Sequence, residues 1–226
     1  MTDESMIRIQ FDLIAKQYDE GRRCLIPCLD DFYVRSVSLL RNLRPHASRI
    51  IDLGAGTGLL AKQVHMLYPD AAFTLVDLSD DMLNIARQRF AGIQGFDYIV
   101  ADYSKYLPCN ADIICSALSI HHLENADKQL LYAEIFSKLP DGGVFINLDQ
   151  FCADSPIISS AWNQWWLGYI DGSGITDEAR AKWIERRKLD REISIPDTIA
   201  MLRKAGFRHA ECVDQFMKFA TIVAVR

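Results

Sequence analysis

The sequence predicts an α/β fold: a doubly wound, mostly parallel sheet of seven strands that ends in an antiparallel hairpin. Three observations predict it. Apolar, strand-like runs alternate with helix-like segments from residue 49 onward, which is the pattern of a parallel sheet with helices on both faces. A glycine-rich turn joins the first of these strands to the first helix. Near the C-terminus, two extended runs follow each other with a short break between them, as in a hairpin.

The alternating part of the chain contains five strands and three connecting helices. The strands are expected at Arg49–Leu53, Ala72–Leu78, Phe96–Ala101, Asp112–Leu118 and Val144–Leu148. The helices are expected near Leu59–Leu67, Asp80–Phe90 and Ala126–Leu139. Ser79 comes directly before two acids, which favours a helix start because its oxygen and the acidic charges meet free backbone N–H groups.

The last part of the chain predicts one more helix and the hairpin. Ser194-Ile195-Pro196-Asp197 is typical of a helix start, and Gly206 can end this helix in a left-handed conformation. The two final strands are expected at Phe207–Val213 and Phe216–Val225, with the turn at Asp214-Gln215.

Two helical segments lie outside this alternation. Residues 1–45 are interpreted as an N-terminal helical lid, and residues 151–190 as a helical insertion before the last helix. With 226 residues and no linker-like tract, the chain is expected to form a single domain, 1–226, with a sizeable core.

Composition narrows the class of protein further. The net charge of −5 argues against a nucleic-acid partner held by general electrostatics. The chain has neither a long apolar run nor an export-type N-terminus, so we expect no membrane association. None of the six cysteines forms a C-x-x-C pair, which is typical of the reducing cytoplasm and indicates no structural metal.

The most informative stretch runs from Ile50 to Ala61 and reads IIDLGAGTGLLA. Three alternate glycines at a strand-to-helix turn let the backbone bend sharply and approach a ligand closely. Asp52 lies near the carboxyl end of the strand, where open α/β sheets bind their ligands. The spacing departs from the dinucleotide fingerprint G-x-G-x-x-G, because Leu59 occupies the position of its third glycine. This disfavours a nicotinamide dehydrogenase.

The string D-x-G-x-G-x-G resembles motif I of the class I (Rossmann-like, seven-stranded) methyltransferases, which depend on S-adenosylmethionine (SAM). Four further segments extend the resemblance over nearly the whole chain: FTLVDL, VADYSKY, SALSIHHL and LPDGGVFINLD. The resemblance implies that SAM is the cofactor and that a small molecule accepts the methyl group. By the family pattern, Asp77 accepts hydrogen bonds from the ribose hydroxyls, and Asp102 and Tyr103 lie beside the adenine.

The resemblance also assigns a full set of cofactor-binding residues. In the lid, a guanidinium suits the carboxylate of the cofactor better than an ammonium does, and Arg23 is favoured for this role with Tyr18 as a second contact. The expected set is Tyr18, Arg23, Asp52, Gly54, Ala55, Gly56, Asp77, Leu78, Met82, Asp102, Tyr103 and Ala117.

His121 and His122 are the candidate catalytic residues because they follow the fourth strand. The pKa of a histidine lies near neutrality, which suits a base that deprotonates the acceptor. No carboxylate triplet of the magnesium type is apparent, so no metal site is expected.

Trp162, Trp165 and Trp166 recur at helical spacing in the insertion together with Tyr169. They are interpreted either as a wall over the acceptor or as packing that permits a homodimer.

Two alternatives of other classes remain open. The sequence LRKAGF near the C-terminus and the arginines of the insertion resemble carboxy-SAM synthase, an enzyme of tRNA wobble-uridine modification. An arginine such as Arg187 or Arg191 facing the methyl position of the cofactor would favour it, whereas the intact GAGTG disfavours it. The second alternative is a SAM-binding protein without catalytic activity.

Overall fold

The computed structural model describes residues 3–12 and 18–226, and its central feature is one seven-stranded sheet. The strands are β1 (Arg49–Leu53), β2 (Ala72–Asp77), β3 (Phe96–Val100), β4 (Ile113–Ala117), β5 (Val144–Gln150), β6 (His209–Phe216) and β7 (Phe219–Val225). Their order across the sheet is β3-β2-β1-β4-β5-β7-β6. Strands β1 to β5 run parallel, and β7 runs antiparallel to both of its neighbours. The predicted fold class is confirmed.

Helices cover the sheet and form the two segments outside the alternation. They are α1 (Asp3–Asp12), α2 (Tyr18–Leu25), α3 (Leu29–Val37), α4 (Leu40–Leu43), α5 (Leu59–Leu67), α6 (Asp80–Arg89), α7 (Asn125–Lys138), α8 (Pro156–Asp171), α9 (Asp177–Arg187) and α10 (Ile195–Ala205). Ser79 caps α6 by accepting a hydrogen bond from the Met82 N–H at 3.1 Å. Gly206 ends α10 with φ +119°, as its position predicts.

The core lies on the two faces of the sheet, because alternate strand residues point in opposite directions. Ile50 and Leu75 pack on the face covered by α3, α5 and α6. Ile51 and Val76 pack on the other face, with apolar residues of α7 and α10. Both faces are buried, so the parallel strands read as continuous apolar runs.

The position of the hairpin turn differs from the expectation. Asp214 and Gln215 lie inside β6, and the turn is made by Met217 and Lys218, with Met217 at φ +52°. A bulge between Cys212 and Asp214 absorbs one residue and lets the strand continue. The polar Asp-Gln pair was therefore wrong as a turn signal.

The lid and the insertion are helical, as expected. Helices α1 to α4 form the lid, and the part of the lid at residues 13–17 falls outside the described residues. Helices α8 and α9 form the insertion. The six cysteines all carry free thiols. Within the described ranges, no helix combines the length and hydropathy that crossing a bilayer requires.

Candidate active site

The turn after β1 brings backbone unusually close to neighbouring side chains. Gly54 has φ +65°, and a Cβ at this position would lie 1.9 Å from Ser119 Oγ. Gly56 has φ +54°, and its Cβ would lie 3.3 Å from Met82 Cε. Only glycine combines these dihedral angles with the absence of a side chain. The turn therefore leaves a bare backbone surface at the carboxyl end of the sheet.

Asp77 at the end of β2 is held by this turn. Its Oδ2 accepts a hydrogen bond from the Gly56 N–H at 2.8 Å, and its Oδ1 accepts one from the Ser79 N–H at 2.9 Å. Burial outweighs these hydrogen bonds and raises the pKa of Asp77 to about 6. The carboxylate is thus fixed in orientation and becomes protonated only in mildly acidic solution.

A narrow cleft, here called the glycine-loop cleft, follows this edge of the sheet. It contains eight of the residues that the sequence assigned to the cofactor: Tyr18, Gly54, Gly56, Asp77, Leu78, Met82, Asp102 and Tyr103. Helix α1 covers the cleft with Ile7, Arg8 and Phe11. Sequence reasoning missed this cover, because the lid has no motif that indicates which of its faces points inward.

Asp102 and Tyr103 also line the cleft. Asp102 Oδ1 accepts hydrogen bonds from the backbone N–H and the hydroxyl of Ser104, and Oδ2 pairs with Lys105 at 2.8 Å. The Tyr103 hydroxyl lies 2.7 Å from Ser119 Oγ. Burial would raise the pKa of Asp102, but Lys105 and Ser104 outweigh it and lower the pKa. Asp102 therefore remains an ionised acceptor.

The two neighbouring arginines of α2 point in different directions. Arg23 is 62% exposed and pairs with Asp30 on the surface at 3.1 Å, so its expected place in the site is corrected. Arg22 is only 8% exposed and lines the large cavity described below, with its guanidinium 4.8 Å from the Tyr18 ring centroid. Within the described residues, Arg22 forms no ion pair with a carboxylate.

Three further residues of the expected set, Asp52, Ala55 and Ala117, do not line the cleft. Ala55 and Ala117 are buried. Asp52 is 1% exposed, and neither of its carboxyl oxygens meets hydrogen-bond geometry with a described residue. Burial raises the pKa of Asp52 to about 8, so this side chain is a neutral acid at pH 7.

A second, larger cavity of about 1390 Å³ adjoins the cleft. Phe11, Tyr18, Leu118 and His122 line both spaces. The wall of the large cavity is completed mainly by α2, α6 and the insertion helix α9, with Trp166 from α8. A ligand in the cleft and a second molecule in the cavity would thus meet at these four shared residues.

His121 is enclosed by two carboxylates. Its Nδ1 lies 2.5 Å from Asp149 Oδ1, and its Nε2 lies 3.5 Å from Asp190 Oδ1. Burial would lower the pKa of His121, but the two carboxylates outweigh it and raise the pKa to about 10. His121 therefore retains its proton at neutral pH. The two carboxylates fix the orientation of the His121 ring, and a histidine that keeps its proton cannot act as a base.

His122 has a different environment, although the centroids of the two imidazole rings are 4.0 Å apart. Burial and the neighbouring charge of His121 lower the pKa of His122. Its Nδ1 lies 3.3 Å from Asp190 Oδ1, but without hydrogen-bond geometry. His122 also lies where the cleft meets the cavity, so it is the histidine of the pair that borders both spaces.

Of the three tryptophans expected over the acceptor, only Trp166 lines the large cavity. Its indole N–H donates to the Leu25 carbonyl oxygen at 2.6 Å, which joins α8 to α2. Trp165 packs on Tyr169 and Phe216 instead. Trp162 does not line the cavity either. For these two residues the structure contradicts the expected wall, because neither side chain lines the cavity.

Sequence reasoning missed several residues that line the cavity. Trp183, Arg186 and Asp190 all come from α9 or the residues after it, and Gln150 comes from the end of β5. The insertion reads as a charged, exposed helix with no motif. Its one usable signal is Trp183, a large apolar residue among charges, which indicates a buried face.

Residues 50–143 match the family model described as "Methyltransferase domain". This segment contains the glycine turn, Asp77, Asp102 and both histidines. The matched segment is therefore similar to known methyltransferase domains, and the seven-stranded sheet with its antiparallel final strands is the fold expected for class I methyltransferases.

Particular relatives agree with this class. The chain is 37% identical over 141 residues to the ubiquinone/menaquinone biosynthesis C-methyltransferase UbiE of Desulfotalea psychrophila, covering 62% of this chain and 56% of that protein. It is 24% identical to the carboxy-S-adenosyl-L-methionine synthase of Campylobacter lari, covering 97% of this chain and 95% of that protein.

Solved structures share the fold. Human N-acetylserotonin methyltransferase in complex with SAM superposes with a TM-score of 0.61 at 18% identity, over 88% of this chain and 52% of that one. The DhpI-SAM-HEP complex superposes with a TM-score of 0.65 at 17% identity, over 96% of this chain and 94% of that one.

Proposed function

We propose that this protein transfers the methyl group of SAM to a small-molecule acceptor. The observation that carries the proposal is the junction of the two spaces. The glycine-loop cleft holds the residues that the family uses for its cofactor, and it meets a cavity of about 1390 Å³ at Tyr18, Leu118 and His122. A cofactor and a second small molecule would therefore come together at one point.

The cleft residues have distinct roles in this proposal. Asp77 accepts hydrogen bonds from the ribose hydroxyls, because its orientation is already fixed by the N–H groups of Gly56 and Ser79. Asp102 and Tyr103 lie beside the adenine. The backbone of Gly54 and Gly56 borders the methionine part, with Leu78 and Met82 as the apolar contacts. Asp52, Ala55 and Ala117 form the layer below the cofactor.

Arg22 takes the role that the sequence gave to Arg23. A guanidinium that is buried at the cavity wall, with no ion pair to a carboxylate of the described part of the chain, provides a site for the carboxylate of the cofactor. Tyr18 lies against Arg22 and lines both spaces, so it serves as the second contact. In this assignment, the buried guanidinium of Arg22 gains a negatively charged partner.

The reaction requires mainly that the acceptor atom be aligned with the methyl group of the cofactor. An acceptor atom with a free electron pair attacks the methyl carbon while the carbon–sulfur bond breaks, which yields S-adenosylhomocysteine and a methylated acceptor. Holding the two molecules in contact removes much of the entropic barrier. His122 touches the point of contact, whereas His121 retains its proton between two carboxylates and fixes this part of the site. An acceptor hydroxyl or ammonium must also lose a proton.

The other candidate functions receive less support. Arg187 lines the cavity, but its Nη2 donates to Asn163 Oδ1 at 2.6 Å and its guanidinium lies over the Trp166 ring. Arg191 pairs with Glu124 at 2.6 Å. Both arginines are thus engaged elsewhere than at the methyl position, which disfavours carboxy-SAM synthesis. The large cavity favours an enzyme over a protein that only binds SAM. A homodimer and a cytoplasmic location stay predictions from the sequence.

Mass spectrometry of the small molecules released by denaturing the purified protein tests this function. We expect SAM or S-adenosylhomocysteine, and calorimetric titration should confirm that the emptied protein binds S-adenosylhomocysteine. Carboxy-SAM in the released material would support the synthase instead, and a protein that binds neither SAM nor S-adenosylhomocysteine would refute the proposal.

A further inference from the structure

Two adjacent histidines meet an aspartate from a distant part of the chain at the wall of the large cavity. His121 and His122 lie in a short 3-10 helix after β4, and Asp190 follows α9 in the insertion. Asp190 Oδ1 lies 3.5 Å from His121 Nε2 and 3.3 Å from His122 Nδ1. One ligand atom from each residue lies within 4.8 Å of the others.

These distances suit three donors around one ion. Metal bonds to imidazole nitrogen and carboxylate oxygen are about 2.0–2.2 Å long, so donors on one ion lie roughly 3.0–3.5 Å apart at tetrahedral or octahedral angles. Both separations that involve Asp190 fall in this range. The two imidazole nitrogens lie within 4.8 Å of each other.

The surrounding groups already orient two of the three donors. Asp149 Oδ1 lies 2.5 Å from His121 Nδ1, and Asp149 Oδ2 accepts a hydrogen bond from the backbone N–H of His121 at 3.0 Å. Gln150 Nε2 donates to Asp190 Oδ2 at 2.7 Å. The atoms left for an ion are therefore His121 Nε2 and Asp190 Oδ1. A carboxylate behind a ligating histidine is the usual arrangement around protein-bound metals.

The third donor provides an independent observation. The side chain of His122 is only 9% exposed, and its Nδ1 has no hydrogen-bond partner within the described residues. Buried polar atoms are nearly always satisfied, and one without a partner carries a cost in free energy. An ion between His122 and Asp190 would remove this cost.

We propose that His121, His122 and Asp190 form a binding site for a divalent transition-metal ion of the Mn²⁺, Fe²⁺ or Zn²⁺ type. Two imidazoles and one carboxylate suit these ions and leave coordination positions open toward the cavity. The carboxylates of Asp149 and Asp190 balance the two charges of the ion.

The location suggests what the ion does. Because His122 borders both the cleft and the cavity, an acceptor oxygen bound to the ion would lie beside the cofactor. The ion would hold that oxygen in place and favour loss of its proton. This role rests on the proposed methyl transfer, whereas binding of the ion does not.

The test is a titration of the full-length protein, first stripped with a chelator, with CoCl₂ and MnCl₂. Calorimetry gives the stoichiometry, and the visible absorption of Co²⁺ reports nitrogen ligation. We expect about one ion per chain. Asp190→Asn should weaken binding at least about tenfold, and Asp149→Asn by about 10- to 100-fold.

A matched control is available in His65. This histidine also has a buried Nδ1 with no hydrogen-bond partner among the residues that the structure describes, but it packs on Phe73 and Phe96, outside the large cavity. His65→Gln should therefore leave the stoichiometry and the affinity for Co²⁺ unchanged. An equal loss in His65→Gln and Asp190→Asn would overturn the proposal.

Two further results would overturn it as well. The first is substantially less than one Co²⁺ per wild-type chain, and the second is equal affinity in the wild type, Asp190→Asn and His122→Gln. If Asp190→Asn does not fold, as judged by circular dichroism, His122→Gln provides the comparison. Binding of S-adenosylhomocysteine is measured on the same samples. If the protein binds S-adenosylhomocysteine but no metal, only the metal site is refuted. If it binds the metal but not S-adenosylhomocysteine, only the proposed function is refuted.

Discussion

At the scale of single residues, the site depends on acids whose ionisation is set by burial. Asp77 and Asp52 are both buried carboxyls near the glycine turn, but Asp77 accepts two backbone hydrogen bonds and Asp52 accepts none from described residues. Burial raises the pKa of Asp77 to about 6, and burial together with the nearby charge of Asp77 raises that of Asp52 to about 8. At pH 7, Asp77 is therefore mostly the carboxylate that its proposed contact with the ribose requires, whereas Asp52 is mostly neutral.

Replacing Asp77 tests its proposed contact with the cofactor. Asp77→Ala should weaken binding of S-adenosylhomocysteine by about 1–3 kcal/mol, because hydrogen bonds to a charged acceptor are lost. In the wild type, affinity should also fall as the pH drops below about 6, since Asp77 is then protonated. Isothermal titration calorimetry between pH 5 and 8 measures both effects.

Asp97→Asn is the matched control for Asp77, because Asp97 is exposed on β3. It should leave affinity for S-adenosylhomocysteine within about twofold, which corresponds to about 0.4 kcal/mol. If Asp77→Ala kept wild-type affinity in a folded protein, Asp77 would not contact the cofactor.

At the scale of secondary-structure elements, the phase of a helix decides which side chain enters the site. Successive residues of an α-helix point about 100° apart, so the neighbours Arg22 and Arg23 cannot share one direction. The bond from Trp166 to the Leu25 carbonyl fixes α2 against α8. With α2 so placed, Arg22 lines the cavity and Arg23 pairs with Asp30 at the surface.

The two arginines form a natural pair of variants. Arg22→Gln should weaken binding of S-adenosylhomocysteine about tenfold or more, because a charge-assisted bond to the carboxylate of the ligand is lost. Arg23→Gln should leave the affinity unchanged, since it removes only an exposed ion pair. Calorimetric titration of both folded variants with S-adenosylhomocysteine measures the two affinities. If Arg23→Gln weakened binding more than Arg22→Gln does, Arg23 would be the residue that binds the carboxylate.

At the scale of the whole molecule, burial of Asp52 links folding stability to pH. In the unfolded chain this carboxyl ionises near pH 4, whereas in the folded protein its pKa is about 8. Between these values the folded state binds more protons than the unfolded state. The free energy of unfolding therefore falls as the pH rises through this window, and Asp52 has no further effect above it.

Asp52→Asn should remove this dependence. The free energy of unfolding of the wild type should decrease between pH 6 and 8 by up to about 1.4 kcal/mol per pH unit on account of Asp52, whereas that of Asp52→Asn should change less. Urea unfolding at several pH values measures the two slopes. Parallel curves for both proteins would show that Asp52 does not titrate in this range.

The local signals in the sequence determined the alternation of strands and helices, the glycine turn and the acids after β2 and β3. Each depends on residues close together in the chain: apolar runs form strands, glycines permit positive φ, and the carboxyl ends of parallel strands meet at one edge of the sheet. The fold class follows from this, and so does the convergence of the glycine turn, Asp77 and Asp102 on one cleft.

The tertiary structure decided everything that depends on how distant segments are oriented. It selected Arg22 over Arg23, left only Trp166 of its helix stripe at the cavity, and moved the hairpin turn to Met217 and Lys218. It also brought Asp190 to the two histidines. The physical reason is that helix phase and the path of an insertion are set by packing against the rest of the molecule, and no run of neighbouring residues encodes that packing.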